Sequence, residues 1–397
     1  MPNSAWRFPG ELQQPSTGYL STLPWVAQWR QMTQCAFVAA ASLIALPEAG
    51  AATWGRQFAF VVQEDVMLAR DYIARVNVAT GEVERRYDLG SRHFEFRSVA
   101  ASTAAQRVFF VDAWNAQLVS LNIHSGVMSR TFAGNVPEGV TVSPDGERAY
   151  VALSFENAVS EFDAKSITSG ALRTIPVGSR PVGLAMNPRG NRLYVTNALG
   201  HSVTCIDLSA SPVATYSVSL INAAHPTPRP LGIATNASGT RAYVSLGASN
   251  ANIAVLDITE LQPRFIADIP TESSSMSLGD TRLGIATNPA ADLFYAVAPG
   301  RDRLTFFTLD VTPPGTGPFE ATYAAGYPVG ISVDGTGNRV LVQGDGTSLG
   351  DPNNARLYVY EARTGEPQWT LRIGRGRALV GNAILEDDVL FRSSLEP

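Results

Sequence analysis

The sequence predicts an all-β fold, a seven-bladed β-propeller built from four-stranded antiparallel blades. Two observations lead to this prediction. A similar stretch recurs along the chain at intervals of 41 to 52 residues, which is the length of one four-stranded blade. Within each copy, apolar and polar residues alternate with a period of two, and β-branched and aromatic residues are frequent, as is typical of strands.

Each copy begins with a short apolar strand followed by a turn. The turns include SPDG at 143 and NPRG at 187, in which Pro fixes φ and Gly accepts the positive φ that the turn requires. The copies of the first strand are RSVAAS at 97, EGVTVS at 138, VGLAMN at 182, LGIATN at 231, LGIATN at 283, VGISVD at 329 and VGNAIL at 380.

Three further strands follow in each copy. The second alternates and contains aromatic residues, as in RAYVAL at 148 and RLYVTN at 192. The third, as in SVTCIDL at 202, often ends on Asp or Asn, whose side chain can close an Asx turn. A fourth, more variable strand leads to the next copy. One blade cannot bury both of its faces alone, so the copies are expected to stack in a ring.

The two ends of the chain indicate how the ring closes. FAFVVQ, YIARVNV and ERRYDL near the N-terminus resemble later strands with no first strand before them. The last copy, at 380, has a first strand followed by VLFRSS. We expect the two fragments to share one blade, so that six complete copies and the shared blade make seven. FAFVVQ and VLFRSS both have the pattern of a second strand, which leaves the closure register open and eight blades as an alternative.

The N-terminal part of the chain has a different character. Residues 1–31 are rich in Pro, Gln, Ser and Trp and predict an extension of low order. Residues 32–51 contain the apolar run CAFVAAASLIALP and then the small-x-small motif AGA, which predict a signal peptide and a periplasmic or secreted protein. A short buried helix is the alternative. The run is too short to cross a bilayer, so we expect residues 52–397 to form one propeller domain without a membrane span.

Charge and cysteine content exclude several classes of protein. The formal net charge of −5 gives no bulk attraction to nucleic acid. Cys35 and Cys205 make neither a disulfide framework nor a zinc cluster, and Cys205 alone remains if the signal peptide is removed. We expect a monomer without a metal or cofactor.

One repeat resembles a known family. PVGLAMNPRGNRLYVTNALGHSVTCIDL, residues 181–208, is similar along its whole length to the YVTN β-propeller repeat, and the similarity extends over about residues 56–395. That family includes surface-layer proteins and YncE-type periplasmic proteins. It grades into lactonase-like propellers, the haem domain of cytochrome-type nitrite reductase and the heavy subunit of quinoprotein amine dehydrogenases. The resemblance implies a seven-bladed, often exported ring and no single activity.

A second resemblance concerns contacts between blades. VYEARTGEPQW, residues 359–369, looks like the tryptophan-docking repeat of pyrroloquinoline-quinone propellers, in which a Thr-Gly turn and a Trp pack between blades. The resemblance gives that role to Trp369. YIARVNVATGEVER, from residue 72, has the Thr-Gly turn but Arg85 at the Trp position. A single match supports shared packing rather than quinone binding.

The candidate ligand-binding residues precede the first strands, because loops that lead into the innermost strand of a propeller line one mouth of the central channel. His93 and His225 lie in such loops, whereas His124 and His201 occupy ordinary turns. Five copies also carry an arginine close to the start of the first strand. These arginines are Arg97, Arg180, Arg229, Arg282 and Arg377.

Two interpretations of the arginines are open. A ring of guanidinium groups can grip an anionic ligand, such as a carboxylate, a phosphate or an acidic peptide, through bidentate hydrogen bonds. Alternatively, the arginines pair with acidic residues of the same loops and hold the blades together. The candidate partners in that case are Glu95, Glu138 and Asp280.

The sequence favours a binding or scaffold function over catalysis. It contains no G-x-S-x-G elbow, no phosphate-binding loop with Lys and no Cys-x-x-Cys-His. We therefore expect an exported propeller that holds a small anionic ligand or a protein partner at the channel mouth. One alternative is a lactonase-like hydrolase in which His and Arg polarise a carbonyl. The other is an accessory subunit of a periplasmic quinoprotein or haem system.

Overall fold

A computed structural model describes residues 56–65, 70–91, 96–247, 252–270, 284–291, 293–298, 303–308, 319–322, 328–344, 355–374 and 378–387. The described chain is β-structure apart from turns, loops and one 3₁₀ helix, Ile167–Ser169. The predicted extension and signal peptide, residues 1–51, lie outside the described residues. Both stay predictions, as does the propeller domain boundary at residue 52.

The strands are short and regularly spaced, as the repeat predicts. In chain order they are β1 Arg56–Asp65, β2 Arg70–Asn77, β3 Val83–Ser91, β4 Phe96–Ser102, β5 Arg107–Asp112, β6 Gln117–Asn122, β7 Met128–Phe132, β8 Pro137–Val142, β9 Arg148–Leu153, β10 Ala158–Asp163, β11 Ala171–Pro176, β12 Pro181–Met186, β13 Arg192–Asn197, β14 Ser202–Asp207, β15 Ala214–Ser219, β16 Pro230–Thr235, β17 Arg241–Leu246, β18 Asn252–Asp257, β19 Arg264–Pro270, β20 Ile285–Thr287, β21 Leu293–Ala298, β22 Arg303–Thr308, β23 Phe319–Thr322, β24 Pro328–Val333, β25 Arg339–Gly344, β26 Ala355–Glu361, β27 Pro367–Gly374 and β28 Ala378–Asp387.

The strands form four-stranded antiparallel sheets, the blades of a propeller. Six blades are made of consecutive strands: β4–β7, β8–β11, β12–β15, β16–β19, β20–β23 and β24–β27. In each, the strands pair in the order in which they follow along the chain, so the connections are short hairpins. The described chain thus contains six blades of consecutive strands, not seven, because the remaining sheet draws on both ends of the chain.

That remaining sheet has the order β28-β1-β2-β3. The C-terminal strand β28 supplies the first strand and pairs antiparallel with β1, with Phe58 opposite Leu385 and Ala59 opposite Ile384. FAFVVQ is therefore a second strand, as its pattern predicts, and this pairing fixes the closure register. VLFRSS lies outside the described residues. The N- and C-terminal strands share one sheet, which leaves no free edge between the two ends of the chain.

The first strands surround the propeller axis. Each contacts the first strand of the next sheet, from β28 through β4, β8, β12, β16, β20 and β24 back to β28. Glycine in the first strand permits this close approach. A Cβ placed on Gly139 would lie 2.2 Å from the carbonyl oxygen of Val182, and one placed on Gly183 would lie 2.2 Å from that of Leu231. Any larger residue at these positions would push neighbouring blades apart.

The core lies between the blades. The second and third strands are buried on both faces, as in RLYVTN of β13, so their alternating side chains pack against the two adjacent sheets. Phe109 and Val111 of β5, for example, share a buried cluster with Val151 of β9 and Phe162 of β10. Burial of each such side chain stabilises the fold by about 1.5–3 kcal/mol.

The turn after each first strand is closed by a side chain. In four blades the residue after the strand accepts a hydrogen bond from the backbone N–H five residues later, and the turn glycine has a φ of 69–73°. The accepting residues are Ser143, Asn187, Asn236 and Asp334, and the donor in each case is the Arg that begins the second strand. The turns predicted from SPDG and NPRG are thereby confirmed, and NASG at 236 and DGTG at 334 form the same turn.

At two contacts between neighbouring sheets, a side chain of one sheet covers a turn glycine of the next. The indole of Trp369, in β27, lies over Gly81 in the turn between β2 and β3, where a Cβ would be 3.1 Å from Cε3. The guanidinium of Arg85, in β3, lies over Gly126 in the turn between β6 and β7, where a Cβ would be 2.6 Å from Nη2. Arg85 therefore covers Gly126 in the same way that Trp369 covers Gly81 at the preceding contact between sheets.

Candidate functional site

The upper face of the propeller carries two kinds of loop. Crossover loops connect the fourth strand of one blade to the first strand of the next, and hairpin loops connect the second and third strands of one blade. The hairpin loops at 113–116, 154–157 and 198–201 have equal length and end on a residue with positive φ: Ala116 at 53°, Asn157 at 51° and His201 at 51°. This shared geometry makes the same loop position comparable from blade to blade.

Hydrogen bonds join these loops into a continuous band, here called the upper band, across three blades. Crossover loop 133–136 is bonded to hairpin loop 113–116 through Ala133 N–H and the carbonyl of Ala116, 2.8 Å, and Ser154 N–H donates to Val136 O. The next crossover loop, 177–180, begins with a bond from Val177 N–H to Asn157 O, 2.9 Å. Each crossover loop is therefore held by the hairpin loops on both of its sides.

Four of the seven predicted ligand contacts lie among the described residues: Arg97, Arg180, His225 and Arg229. His93, Arg282 and Arg377 lie outside them. The ligand-binding role of all seven stays a prediction, and the four described residues have different surroundings.

Arg97 is paired with an acidic residue of the neighbouring first strand. Its Nη1 lies 3.6 Å from Oε2 of Glu138, and both side chains are largely buried. This pair links β4 to β8 at the start of both strands. For Arg97, the structure therefore places the guanidinium in the inter-blade contact that the alternative interpretation describes.

Arg180 and Arg229 occupy the same position in successive blades. Each precedes the proline that starts a first strand, and its carbonyl accepts a hydrogen bond of 2.8 Å from a hairpin loop, from Ala198 and Gly247 respectively. The side chain of Arg180 is exposed and has no hydrogen-bond or ion-pair partner among the described residues. Arg229 is half-buried, and its Nε–H has no hydrogen-bond partner in the described chain.

His225 is buried, with 3% of its surface exposed. Its Nε2 lies 2.9 Å from Nδ2 of Asn252 and 3.3 Å from Oδ2 of Asp268, which belongs to the outer strand β19. Burial raises the pKa of the Asp268 carboxyl, an effect that His225 and Asn222 oppose. His225 therefore fastens crossover loop 220–229 to the outer part of its blade.

The residues that the sequence analysis missed are apolar. Trp114, Phe155 and Leu199 each take the second position of a hairpin loop and are 70%, 76% and 50% exposed. We call these three residues the apolar arc. The signal in the sequence that could have found them is a large apolar residue at the second position of the four-residue interval between the second and third strands. The aromatic residues of the second strands, such as Tyr150 and Tyr194, are buried, so the aromatic pattern of the repeat did not single out these three.

The described residues contain no group of three or more His, Cys, Asp or Glu side chains placed to hold a metal ion. In the part of the chain that the structure describes, no helix is long and apolar enough to cross a membrane.

Comparison with solved structures supports the fold. A putative 6-phosphogluconolactonase from Bacteroides uniformis is 14% identical and has a TM-score of 0.63, over 83% of this chain and 99% of the other. The periplasmic gluconolactonase of Pseudomonas aeruginosa is 13% identical with a TM-score of 0.61, over 83% and 99%. Hydrazine synthase from Kuenenia stuttgartiensis is 15% identical with a TM-score of 0.59, over 75% and 93%.

Comparison at the level of sequence gives no family. No protein-family model matches the chain, and no curated protein does either. The similar structures are therefore all propellers, some named lactonases and one a redox enzyme, and at this identity they establish the β-propeller fold alone.

Proposed function

We propose that this protein is an exported propeller, seven-bladed when the shared sheet is counted, which binds an anionic ligand or a protein partner at its upper face. The resemblance to exported YVTN-type propellers and the predicted signal peptide support export. The upper face supports binding because its loops are held in place by hydrogen bonds while several of their side chains face solvent.

One observation carries the proposal. Arg180 and Arg229 stand at the same point of neighbouring crossover loops, and both have guanidinium N–H groups without a partner among the described residues. An arginine offers five N–H donors in a fixed fork that fits a carboxylate or phosphate. Two such groups on adjacent blades are suited to an anion that approaches along the propeller axis.

Native mass spectrometry of the full chain, recovered from the export compartment of its own host, tests this proposal. We expect extra mass on the wild-type protein and its loss in the Arg180→Ala, Arg229→Ala double variant. Arg189→Ala is the matched control, because Arg189 is exposed in the turn between β12 and β13 on the opposite face. Bound mass that persists in the double variant, or a wild-type protein without bound mass, contradicts the proposal. A mature chain that begins at Ala52 supports export.

A lactone hydrolase is the second candidate, since two of the similar structures bear the names of gluconolactonases. Among the described candidates, His225 is 3% exposed whereas Arg180 is exposed, so we assign the polarisation of a lactone carbonyl to Arg180. Hydrolysis of gluconolactone or 6-phosphogluconolactone by the purified chain, abolished in Arg180→Ala and retained in Arg189→Ala, would favour this function. Rates equal to the uncatalysed reaction would exclude it for these substrates.

A further inference from the structure

The apolar arc gives the upper face a second property beyond positive charge. Large apolar side chains occupy the same solvent-facing loop position in three consecutive blades, although nothing in the hairpin geometry requires them there. Scattered apolar residues are normal on a surface, but apolar residues aligned on one face mark interaction sites. Aromatic side chains such as Trp114 and Phe155 also supply much of the binding energy in protein interfaces.

The loop between Phe155 and Leu199 carries an exposed cation. The backbone N–H of Arg180 donates a hydrogen bond of 2.9 Å to Oδ1 of Asn157, which ends the hairpin loop that contains Phe155. Its carbonyl accepts the N–H of Ala198, which begins the hairpin loop that contains Leu199. The backbone of Arg180 is therefore bonded to the hairpin loops that carry Phe155 and Leu199, and its side chain is exposed.

The neighbouring negative charge is held on the other side of the hairpin loop. Oε1 of Glu156 accepts the backbone N–H of Asn135 at 2.7 Å, in the crossover loop that precedes β8. Arg180 belongs to the next crossover loop, on the Asn157 side. This arrangement leaves Arg180 available to a carboxylate from outside, and a partner with a positive charge at this point would be repelled.

These contacts are also fixed before any partner binds. The hairpin loops and crossover loops of the upper band are tied by backbone hydrogen bonds, among them Leu199 N–H and Gly200 N–H to Ser179 O at 3.2 and 2.9 Å. A surface held in this way loses little conformational entropy when a partner docks. Small ligands need a cavity, whereas exposed apolar side chains on three consecutive blades suit an extended polypeptide.

From this arrangement we infer that the upper face takes a protein partner that presents an Asp or Glu side chain flanked by apolar residues. The carboxylate pairs with Arg180, and the flanking residues pack on Phe155 and Leu199, with Trp114 extending the surface along the arc. This inference rests on the proposed binding function and names the class of partner.

Selection from a phage-displayed library of random peptides on the full mature chain tests the inference. We expect the enriched peptides to share an acidic residue with apolar neighbours. Synthesised peptides are then titrated by fluorescence anisotropy against wild-type protein and single variants. Arg180→Ala and Phe155→Ala should each weaken binding by about tenfold or more, and Leu199→Ala by less, because its exposed side chain is smaller.

Matched controls lie on the same molecule. Leu172 is 49% exposed at the far end of β11, so Leu172→Ala removes as much exposed leucine as Leu199→Ala without touching the upper face. Arg189→Ala likewise removes one exposed positive charge without touching the upper face. Replacing the peptide's acidic residue with its amide should weaken binding to wild-type protein but not to Arg180→Ala, which a double-mutant cycle measures directly.

Several results would overturn the inference. Enriched peptides without an acidic residue would do so, as would additive effects in the double-mutant cycle or equal effects of Leu172→Ala and Leu199→Ala. A wild-type dimer in sedimentation velocity that Phe155→Ala converts to monomer would assign the arc to a second copy of this chain. If native mass spectrometry finds a small ligand lost with Arg180 while no peptide is enriched, the proposed function stands and this inference fails. If neither is found, both fail.

Discussion

The described loops of the upper face differ in their exposed side chains from the described turns of the lower face, which join the first strand to the second and the third to the fourth. On the lower face, turn side chains such as Asn236 are buried and bond to their own backbone, and Trp369 and Arg85 cover the glycines of neighbouring turns. On the upper face, Trp114 and Phe155 face water, and the side chain of Arg180 has no partner among the described residues. These lower-face side chains bond and pack within the molecule, whereas these upper-face side chains remain available to a partner.

This difference separates stability from binding. A group that already bonds within the fold gives nothing to a ligand, and removing it costs folding free energy. A group exposed to water contributes little to folding and is available for a partner. Substitutions on the lower face should therefore lower stability, and substitutions on the upper face should change binding alone.

The largest expected effect on stability is that of Trp369 on the lower face, and Trp114 on the upper face is its contrast. Trp369→Ala should lower the free energy of unfolding by about 2–3 kcal/mol, because it uncovers Gly81 and the buried cluster around Val76 and Leu357. Trp114→Ala should change it by less than about 0.5 kcal/mol, since most of that side chain already faces water. Chemical denaturation followed by circular dichroism measures both. Equal destabilisation by the two substitutions would break the distinction between the faces.

A turn side chain on the lower face should have a smaller effect. Oδ1 of Asn236 accepts hydrogen bonds from Thr240 N–H and Arg241 N–H, both at 2.9 Å, and the residue is buried. Asn236→Ala leaves these donors unpaired and should cost about 1–2 kcal/mol of unfolding free energy. Asn135→Ala, in an exposed part of the upper band, is the control. A shift of the denaturation midpoint in the control but not in Asn236→Ala would reverse our interpretation.

The smallest effect is expected at the pair of His225 and Asp268 on the upper face. Burial raises the pKa of Asp268, so folding favours its protonated form, and the unfolded chain ionises first as pH rises above about 4. Wild-type protein should therefore lose stability relative to Asp268→Asn as pH rises through the folded-state pKa of Asp268. Denaturation midpoints of both proteins measured from acid to neutral pH give the difference, and a constant difference would show that Asp268 does not titrate differently on folding.

The strands and turns followed from local chemistry. RLYVTN becomes a buried second strand because its alternation suits a sheet covered on both faces, and NPRG becomes a turn because Pro and Gly restrict the backbone there. The shared closing sheet also followed from the sequence, since neither end of the chain contains a whole blade. The strands and turns depend on residues close together in the chain, whereas the closing sheet pairs residues from its opposite ends, such as Phe58 and Leu385.

The surroundings of the candidate site residues could not be predicted. Arg97 and Arg180 look alike in the sequence, yet one pairs with Glu138 of the next blade and the other faces solvent. His225 precedes a first strand, as a residue at the channel mouth should, but its longer loop carries it to Asp268. The pairing of Arg97 and that of His225 each depend on a residue about 40 positions away.

The sequence by itself determined the β-propeller fold, because the repeat, the alternation and the turn residues act over distances of a few residues. Only the tertiary structure decided which charged and apolar side chains remain free at the surface. A side chain is buried or exposed according to what the neighbouring blade places beside it. Hydrogen bonds between neighbouring blades join the loops of Phe155, Arg180 and Leu199, and all three side chains face water.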